Sequence, residues 1–487
     1  MSDSQPIDDT RIHSIIQNVM REIGDADIPY ESAPRPARPA PLSAGPGDGL
    51  FPDPDSATAA AQAAYEQLNA MPLEVRRHMV EAMRATAREH AQVLGHFATE
   101  ETGMGRPEDK TQKNLLVANK TPGPEFLDTA AWTGDDGLAL TEYAPYGVIA
   151  SITPSTNPTS TIINNSIGMV SAGNAAVFNA HPSAKQCSAY TIQLLNRAIQ
   201  SAGGPPNLLT CVVEPTIQSA QALMTHKQVR LLVVTGGIGV VRQAMQSGKR
   251  AVCAGPGNPP VVVDETADLE QAGRDVVRGG SFDNNLVCVT EKTTIAVESV
   301  LDGLVDSMTR HGGYLITSWQ LRRLMKSIFD EDRGPGKPAV MNKEFIGKDA
   351  NVLLKEIGVN VGREVRQIVA VVEPDHQLVW SEQMMPVMPV VPMPDVYAAV
   401  DLAVASEHGF RHTAVMHSKH VDHMTHMARA MDCSIFVKNG PSITGLGWHG
   451  EGFTSFTIAS PTGEGLTTCR SFSRLRRCTL KDSFRIV

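Results

Sequence analysis

The residue with the strongest claim to chemistry is Cys288, in the run Ser281-Phe282-Asp283-Asn284-Asn285-Leu286-Val287-Cys288-Val289-Thr290. A nucleophilic thiol needs an accessible thiolate with donors around it, and a polar loop edge offers that more readily than the centre of a strand. On the local text alone a plain core cysteine stays open as the alternative. The other six (Cys187, Cys211, Cys253, Cys433, Cys469, Cys478) are scattered, and no C-x-x-C pair occurs, so neither a disulfide framework nor a structural zinc site is expected. Two glycine clusters suit a ligand that approaches the backbone. Thr235-Gly236-Gly237-Ile238-Gly239-Val240-Val241 links the strand-like VRLLVVT to a helical stretch whose first N–H groups are placed for a phosphate; it is not G-x-G-x-x-G, and a tight turn without ligand reads the same way. Ala254-Gly255-Pro256-Gly257-Asn258-Pro259-Pro260 joins AVC to VVVD, either as a domain crossing where backbone meets cofactor or as an ordinary loop. His420, His423 and His426 stand at i, i+3, i+6, which turns them progressively around a helix with no fixed carboxylate; a solvated face is expected there, and no metal. The methionine-rich EQMMPVMPVVPMP reads as packing.

Such residues work only if a scaffold brings them together, and the text supplies one. From Ser56 to Gly103 apolar residues recur at helical spacing, and Gly103 closes the run. After Gly147 the character changes to short β-branched runs, GVIASIT, AAVFNA, LLTCVVE, VRLLVVT and PPVVVD, separated by helical stretches, as right-handed βαβ units require. A second alternating stretch, roughly from Val261 to Val437, contains TTIAVES, QIVAVVE, PVMPVVPMP, TAVMHS and SIFVK, so two α/β layers are expected rather than one giant sheet. Ahead of this body, Ile12, Ile15, Ile16, Val19, Met20 and Ile23 share one helix face over residues 9–24, followed by a Pro-rich tether expected to run over 25–55. That helix either folds back on its own subunit or buries its stripe in another molecule. The 487 residues carry 43 Lys and Arg against 52 Asp and Glu, a formal charge of −9, which makes nucleic acid and an anionic membrane poor partners. MSDSQPIDDT lacks a secretory pattern, so a cytoplasmic location is expected.

Taken in this order, the pieces resemble the aldehyde dehydrogenase superfamily from about Ser56 to the end, and most closely its CoA-acylating branch in bacterial microcompartments, the propionaldehyde and acetaldehyde dehydrogenases. PYGVIASITPSTNPT is similar to the segment leading to that family's active-site asparagine, which implies Asn157 in this role and Ile152, Thr153, Pro154 and Ser155 as nucleotide contacts. SAGNAAVFNAHPSAK resembles the strand whose end meets the adenosine, with His181 and Ser183 there. TGGIGVV resembles the phosphate-side turn and implies Thr235, Gly236, Gly237 and Val240, with Ala254 and Gly255 completing that wall. NNLVCVTEK resembles the loop of the nucleophile, which makes it Cys288, and EQMMPVMPV implies Glu382 at the nicotinamide ribose with Met384 beside it.

The resemblance implies an α/β fold of two Rossmann-like domains plus a small β oligomerisation element. The expected division is a nucleotide domain over 56–253 with an oligomerisation strand near 137–147, a catalytic domain over 254–445, and a C-terminal segment 446–487 completing the first domain and that element. Hydrolytic relatives carry a general-base glutamate where this chain has Cys253, so the acyl-enzyme is expected to wait for coenzyme A instead of water. His181 stands in place of the usual adenosine-side lysine, as expected where coenzyme A shares the groove. The implied reaction oxidises propionaldehyde or acetaldehyde with NAD⁺ and coenzyme A to acyl-CoA and NADH. The alternatives are a CoA-independent enzyme releasing free acid, an acyl-phosphate reductase or histidinol-type dehydrogenase, and a non-catalytic shell adaptor on the same fold. The helix at 9–24 resembles encapsulation peptides, which implies a shell or cargo protein as partner and the microcompartment lumen as location; a homodimer or homotetramer is implied as well.

Overall fold

The computed structural model describes residues 47–486; the helix expected at 9–24 and most of the tether lie outside them. Six parallel strands form the first sheet, in the spatial order Leu50–Phe51, Leu209–Val212, Ala175–Asn179, Val148–Ile152, Val229–Thr235, Ala251–Ala254. Of the inner ones, Leu209–Val212, Ala175–Asn179 and Val148–Ile152 are buried along their whole length and Val229–Thr235 everywhere but Arg230 and Thr235, which is why they read as largely apolar runs rather than alternating ones. The chain leaves this sheet after Ala254 and re-enters structure at Pro260–Val263, a strand of the second sheet. That sheet has seven parallel strands, in the order Gly313–Leu315, Gln367–Val371, Val387–Met393, Thr293–Val297, Pro260–Val263, Thr413–His417, Ile435–Lys438. A third sheet is antiparallel: Gly137–Pro145 pairs on one side with Ala130–Gly134 and on the other, over nine residues, with Ser473–Lys481.

The helical text before Gly103 is three helices, Pro54–Asn69, Leu73–Glu89 and Ala91–Thr102, and Gly103 ends the last of them in the left-handed region at φ +68°. The expectation of an unpacked tether reaching residue 55 is corrected at its end. Leu50 and Phe51 extend the first sheet beside Cys211 and Val212, and Asp53 caps the first helix through Ser56 N–H. Apolar Leu and Phe between Gly49 and Pro52 were enough to add an edge strand, which the surrounding Pro and Gly obscured in the text. Asn174 ties the C-terminal segment to the first sheet: its Oδ1 accepts from Tyr146 and Gly147 N–H at 2.7 and 3.1 Å, and its Nδ2 donates to Phe472 O at 2.9 Å. Among the described residues no helix is long and apolar enough to cross a membrane.

Candidate active site

The carboxyl ends of the central strands of the first sheet open on a cavity of about 810 Å³. Ile152, Asn179 and Thr235 each end a strand there and line it. The strands ending in Ile152 and Thr235 are neighbours on the sheet, yet the chain visits two other strands between them, and such a switch in strand order leaves a crevice that helices do not fill. The opposite wall comes from the second sheet's side: Leu286, Val287 and Cys288, then Glu382 and Met384 from the segment before Val387–Met393.

Asn157 is the N-cap of helix Pro158–Ser171, with Pro158 at the first helical position where its missing N–H costs nothing. Its side chain is buried and lines the same cavity as Cys288. The Cys288 loop was expected to be a polar, accessible edge, and here the structure differs. Asp283, Asn284 and Asn285 are at most 2 % exposed, and all three sit in the left-handed region, at φ +48°, +55° and +65°. Asx side chains tolerate that conformation because they can bond locally, but three in a row persist only when the surroundings over-determine them. Each is indeed clamped. Asp283 takes Lys110 and Lys113 Nζ at 3.0 and 2.5 Å; Asn284 takes Arg106 Nε at 3.1 Å; Asn285 takes Lys292 Nζ at 2.6 Å and donates to Gly280 O and Glu291 O. Polarity in this loop serves internal bonding, and only Cys288 at its end is partly exposed.

The electrostatics around the thiol are mixed. Burial pushes the Cys288 thiol up to about 12, Glu382 adds to the shift, and Lys292 and more weakly Lys113 oppose it. Burial likewise raises the Glu382 carboxyl against the pull of Lys292 and the Gly257 N–H. Lys292 is itself drawn down to about 8 by burial. The crossing loop 255–259 presses on this centre: a Cβ on Gly257 would lie 2.8 Å from Cys288 O and 3.1 Å from the His412 ring, so only glycine fits.

At the far end the residues fit the phosphates of a dinucleotide. Helix Ile238–Met245 starts at Gly237 with no side-chain cap, whereas helix Ile217–Thr225 is closed by a reciprocal Thr216–Ser219 capping box. The uncapped N–H groups face a turn where a Cβ on Gly237 or Gly239 would meet nothing within 4 Å, room that the protein itself leaves empty. His181 lines the cavity and holds Ser183, its Nδ1 2.8 Å from Ser183 Oγ. Of the expected cofactor residues, Ile152, Thr153, Pro154, Ser155, His181, Thr235, Gly236, Gly237, Val240, Gly255, Glu382 and Met384 line the cavity, while Ser183 and Ala254 do not. Ser183 is spent on His181, and Ala254 is buried in its strand. Met384 holds φ +51°, a strained backbone at the cavity wall.

Cys253 is fully buried in strand Ala251–Ala254, and burial pushes its thiol up to about 11. Among the described residues lining the cavity the one carboxylate is Glu382. Sequence reasoning missed Lys110, Lys113 and Lys292, all buried against the Cys288 loop. In the text the lysine pair stands beside Glu108 and Asp109 and looks like a solvated helix face; the signal that pointed elsewhere was Asp283, a carboxylate inside an otherwise neutral run. The histidine cluster departs from its expectation at one residue. His420, which caps helix Val421–Met431, and His426 are exposed as expected; His423 alone turns inward, stacked on His420 at 3.9 Å and with its Nδ1 2.9 Å from the buried Asp264 carboxylate.

The sequence model of the aldehyde dehydrogenase family matches residues 51–317. The chain is 47% identical over 442 residues to the acetaldehyde dehydrogenase (acetylating) EutE of Salmonella typhimurium, covering 90% of this chain and 94% of that one. It is similar in structure to the propionaldehyde dehydrogenase of Rhodopseudomonas palustris solved with bound CoA and an acylated cysteine, at a TM-score of 0.87 and 44% identity over 89% of this chain and 98% of the other. The propionaldehyde dehydrogenase of the Clostridium phytofermentans fucose utilisation bacterial microcompartment matches equally well, with a TM-score of 0.87, 44% identity and coverage of 90% and 100%.

Proposed function

The chain belongs to the aldehyde dehydrogenase family, and from that premise we propose how its residues perform a CoA-acylating oxidation of a short-chain aldehyde. Cys288 gives up its proton to solvent and its Sγ adds as the thiolate to the aldehyde carbonyl carbon, while the Asn157 side-chain amide and the Cys288 N–H hold the oxygen as it becomes an oxyanion. When bound, the nicotinamide nucleotide supplies the hydride acceptor that leaves the acyl group on Cys288 as a thioester. The coenzyme A thiol then takes the acyl group: a new sulfur–carbon bond forms, the bond to Cys288 breaks, and the proton of the incoming thiol is left to restore Cys288. Ile152, Asn179 and the Gly236–Gly237 turn hold the nucleotide, and Glu382 positions its ribose.

The observation that carries this reading is the arrival of Cys288 and Asn157 in one cavity whose other end is an uncapped helix N-terminus. The absence of a carboxylate at Cys253 supports coenzyme A rather than water as the acceptor. A Cys288→Ala protein tests it: NAD⁺ binding measured calorimetrically stays near that of the parent, and NADH formation with propionaldehyde and coenzyme A disappears. Retained turnover would move the nucleophile elsewhere. The sheet of Gly137–Pro145 and Ser473–Lys481 joins subunits into a dimer or tetramer, and residues 9–24 dock to a shell or cargo protein in a microcompartment lumen.

A further inference from the structure

Asn157 can serve an oxyanion only with its NH₂ group, not its carbonyl, turned to the cavity. The amide has two orientations of almost equal shape, so something must choose between them. Lys113 reaches Asn157 Oδ1 with its Nζ at 2.6 Å. An ammonium donates and never accepts, so this contact is compatible with one orientation alone. One Nδ2 hydrogen then goes to Thr156 Oγ1 at 3.1 Å, which leaves the other for the cavity that Asn157 lines.

Lys113 is held in turn. It lies on helix Pro107–Lys120 with its side chain 2% exposed, and Asp283, wholly buried, takes it at 2.5 Å. Lys110, one turn earlier on the same face, shares that carboxylate at 3.0 Å and anchors on Thr156 O at 3.0 Å, but makes no bond to Asn157. Asp283 N–H is fixed by Asp109 and its Oδ1 by Arg106 N–H, so the carboxylate has no freedom to release the lysines. Asp283 belongs to the strained turn that leads into Cys288. One ammonium therefore touches both halves of the chemistry: the donor on the first sheet's side and the loop of the nucleophile.

We infer that Lys113 is a positioning residue, which orients the Asn157 amide toward the oxyanion and locks it to the Cys288 loop through Asp283. This rests on the reading of Asn157 as the oxyanion donor. Lys113 itself touches neither substrate nor the reacting sulfur.

The test is a double-mutant cycle on the full chain, with propionaldehyde, NAD⁺ and coenzyme A. Asn157→Ala and Lys113→Met each lower kcat by about 100-fold, the cost of an ångström-scale misplacement of a catalytic group, with the KM for aldehyde within about threefold. In the Asn157→Ala background most of the Lys113→Met loss disappears, because a lysine cannot orient an amide that has been removed; a residual loss of no more than a few-fold reports its weaker pull on the Cys288 thiolate. Lys113→Gln, which keeps an amide donor without the charge, retains about tenfold more activity than Lys113→Met and replaces it in the cycle should Lys113→Met not fold. Losses that multiply in the double variant, or full kcat in Lys113→Met, would overturn the positioning role. Full kcat in Asn157→Ala would instead overturn the oxyanion reading beneath it.

Discussion

At the residue scale the Cys288 thiol is defined by opposed charges in a buried setting. Burial and Glu382 hold it protonated, while Lys292 and Lys113 favour the thiolate. Since the thiol is pushed up to about 12, the thiolate fraction in the free enzyme grows about tenfold per pH unit throughout the neutral and mildly alkaline range. Alkylation of Cys288 by iodoacetamide therefore accelerates from pH 7 to pH 9 without a plateau. Glu382→Gln removes a negative neighbour, which lowers the thiol's pKa and makes alkylation faster at any fixed pH in that range. A plateau below pH 9, or an unchanged rate in Glu382→Gln, would show that Glu382 does not govern the thiol. Cys288 was readable as a candidate from its polar neighbours, but the physical reason differs from the expected one: Asp283, Asn284 and Asn285 bond inward and stiffen the loop rather than wet it.

At the element scale, the strands were plain in the sequence because parallel strands covered on both faces read as near-continuous apolar runs, as in Pro260–Val263. Their shared carboxyl edge follows from topology, and with it most of the cavity wall. What was not readable is long-range polar pairing. Nothing near Lys113 in the chain announces Asp283, 170 residues away. Glu291 is a second case. It is buried behind the nucleophile loop, where Ser442 N–H and Oγ bind its carboxylate at 2.6 and 2.7 Å, and Gly279 allows it against the helix Leu269–Gly280. Burial raises its carboxyl to about 7, from an ordinary 4.5. A raised acid stabilises the fold below its unfolded value and loses that contribution as pH rises through the folded one, so this group costs stability progressively between pH 4.5 and about 7. Glu291→Gln keeps both bonds to Ser442 and removes the charge. Thermal unfolding should then show the variant more stable at pH 8, by on the order of 3 kcal/mol, and equal to the parent at pH 4.5. A variant less stable than the parent at pH 8 would mean that the ionised carboxylate is favoured there.

At the scale of the whole molecule, the third sheet is thin and exposed. Trp132, Leu475 and Leu480 are 53 %, 63 % and 45 % exposed, and its outer strands offer unpaired edges among the described residues. If it joins subunits, Trp132→Arg with Leu475→Arg lowers the mass measured by light scattering to that of a monomer; an unchanged mass would place the interface elsewhere. The docking role proposed for residues 9–24 predicts that deleting residues 1–24 leaves specific activity near that of the parent and abolishes co-purification with shells, whereas a collapse of activity would make that segment part of the catalytic body. What accepts the acyl group is decided by following NADH absorbance with propionaldehyde and NAD⁺, with and without coenzyme A, and identifying the product by mass spectrometry. Sustained turnover only with coenzyme A, yielding propionyl-CoA, is the predicted result. Equal turnover without it, yielding propionate, would contradict the account and make Glu382, the one carboxylate among the described residues of the cavity wall, the first candidate for activating water.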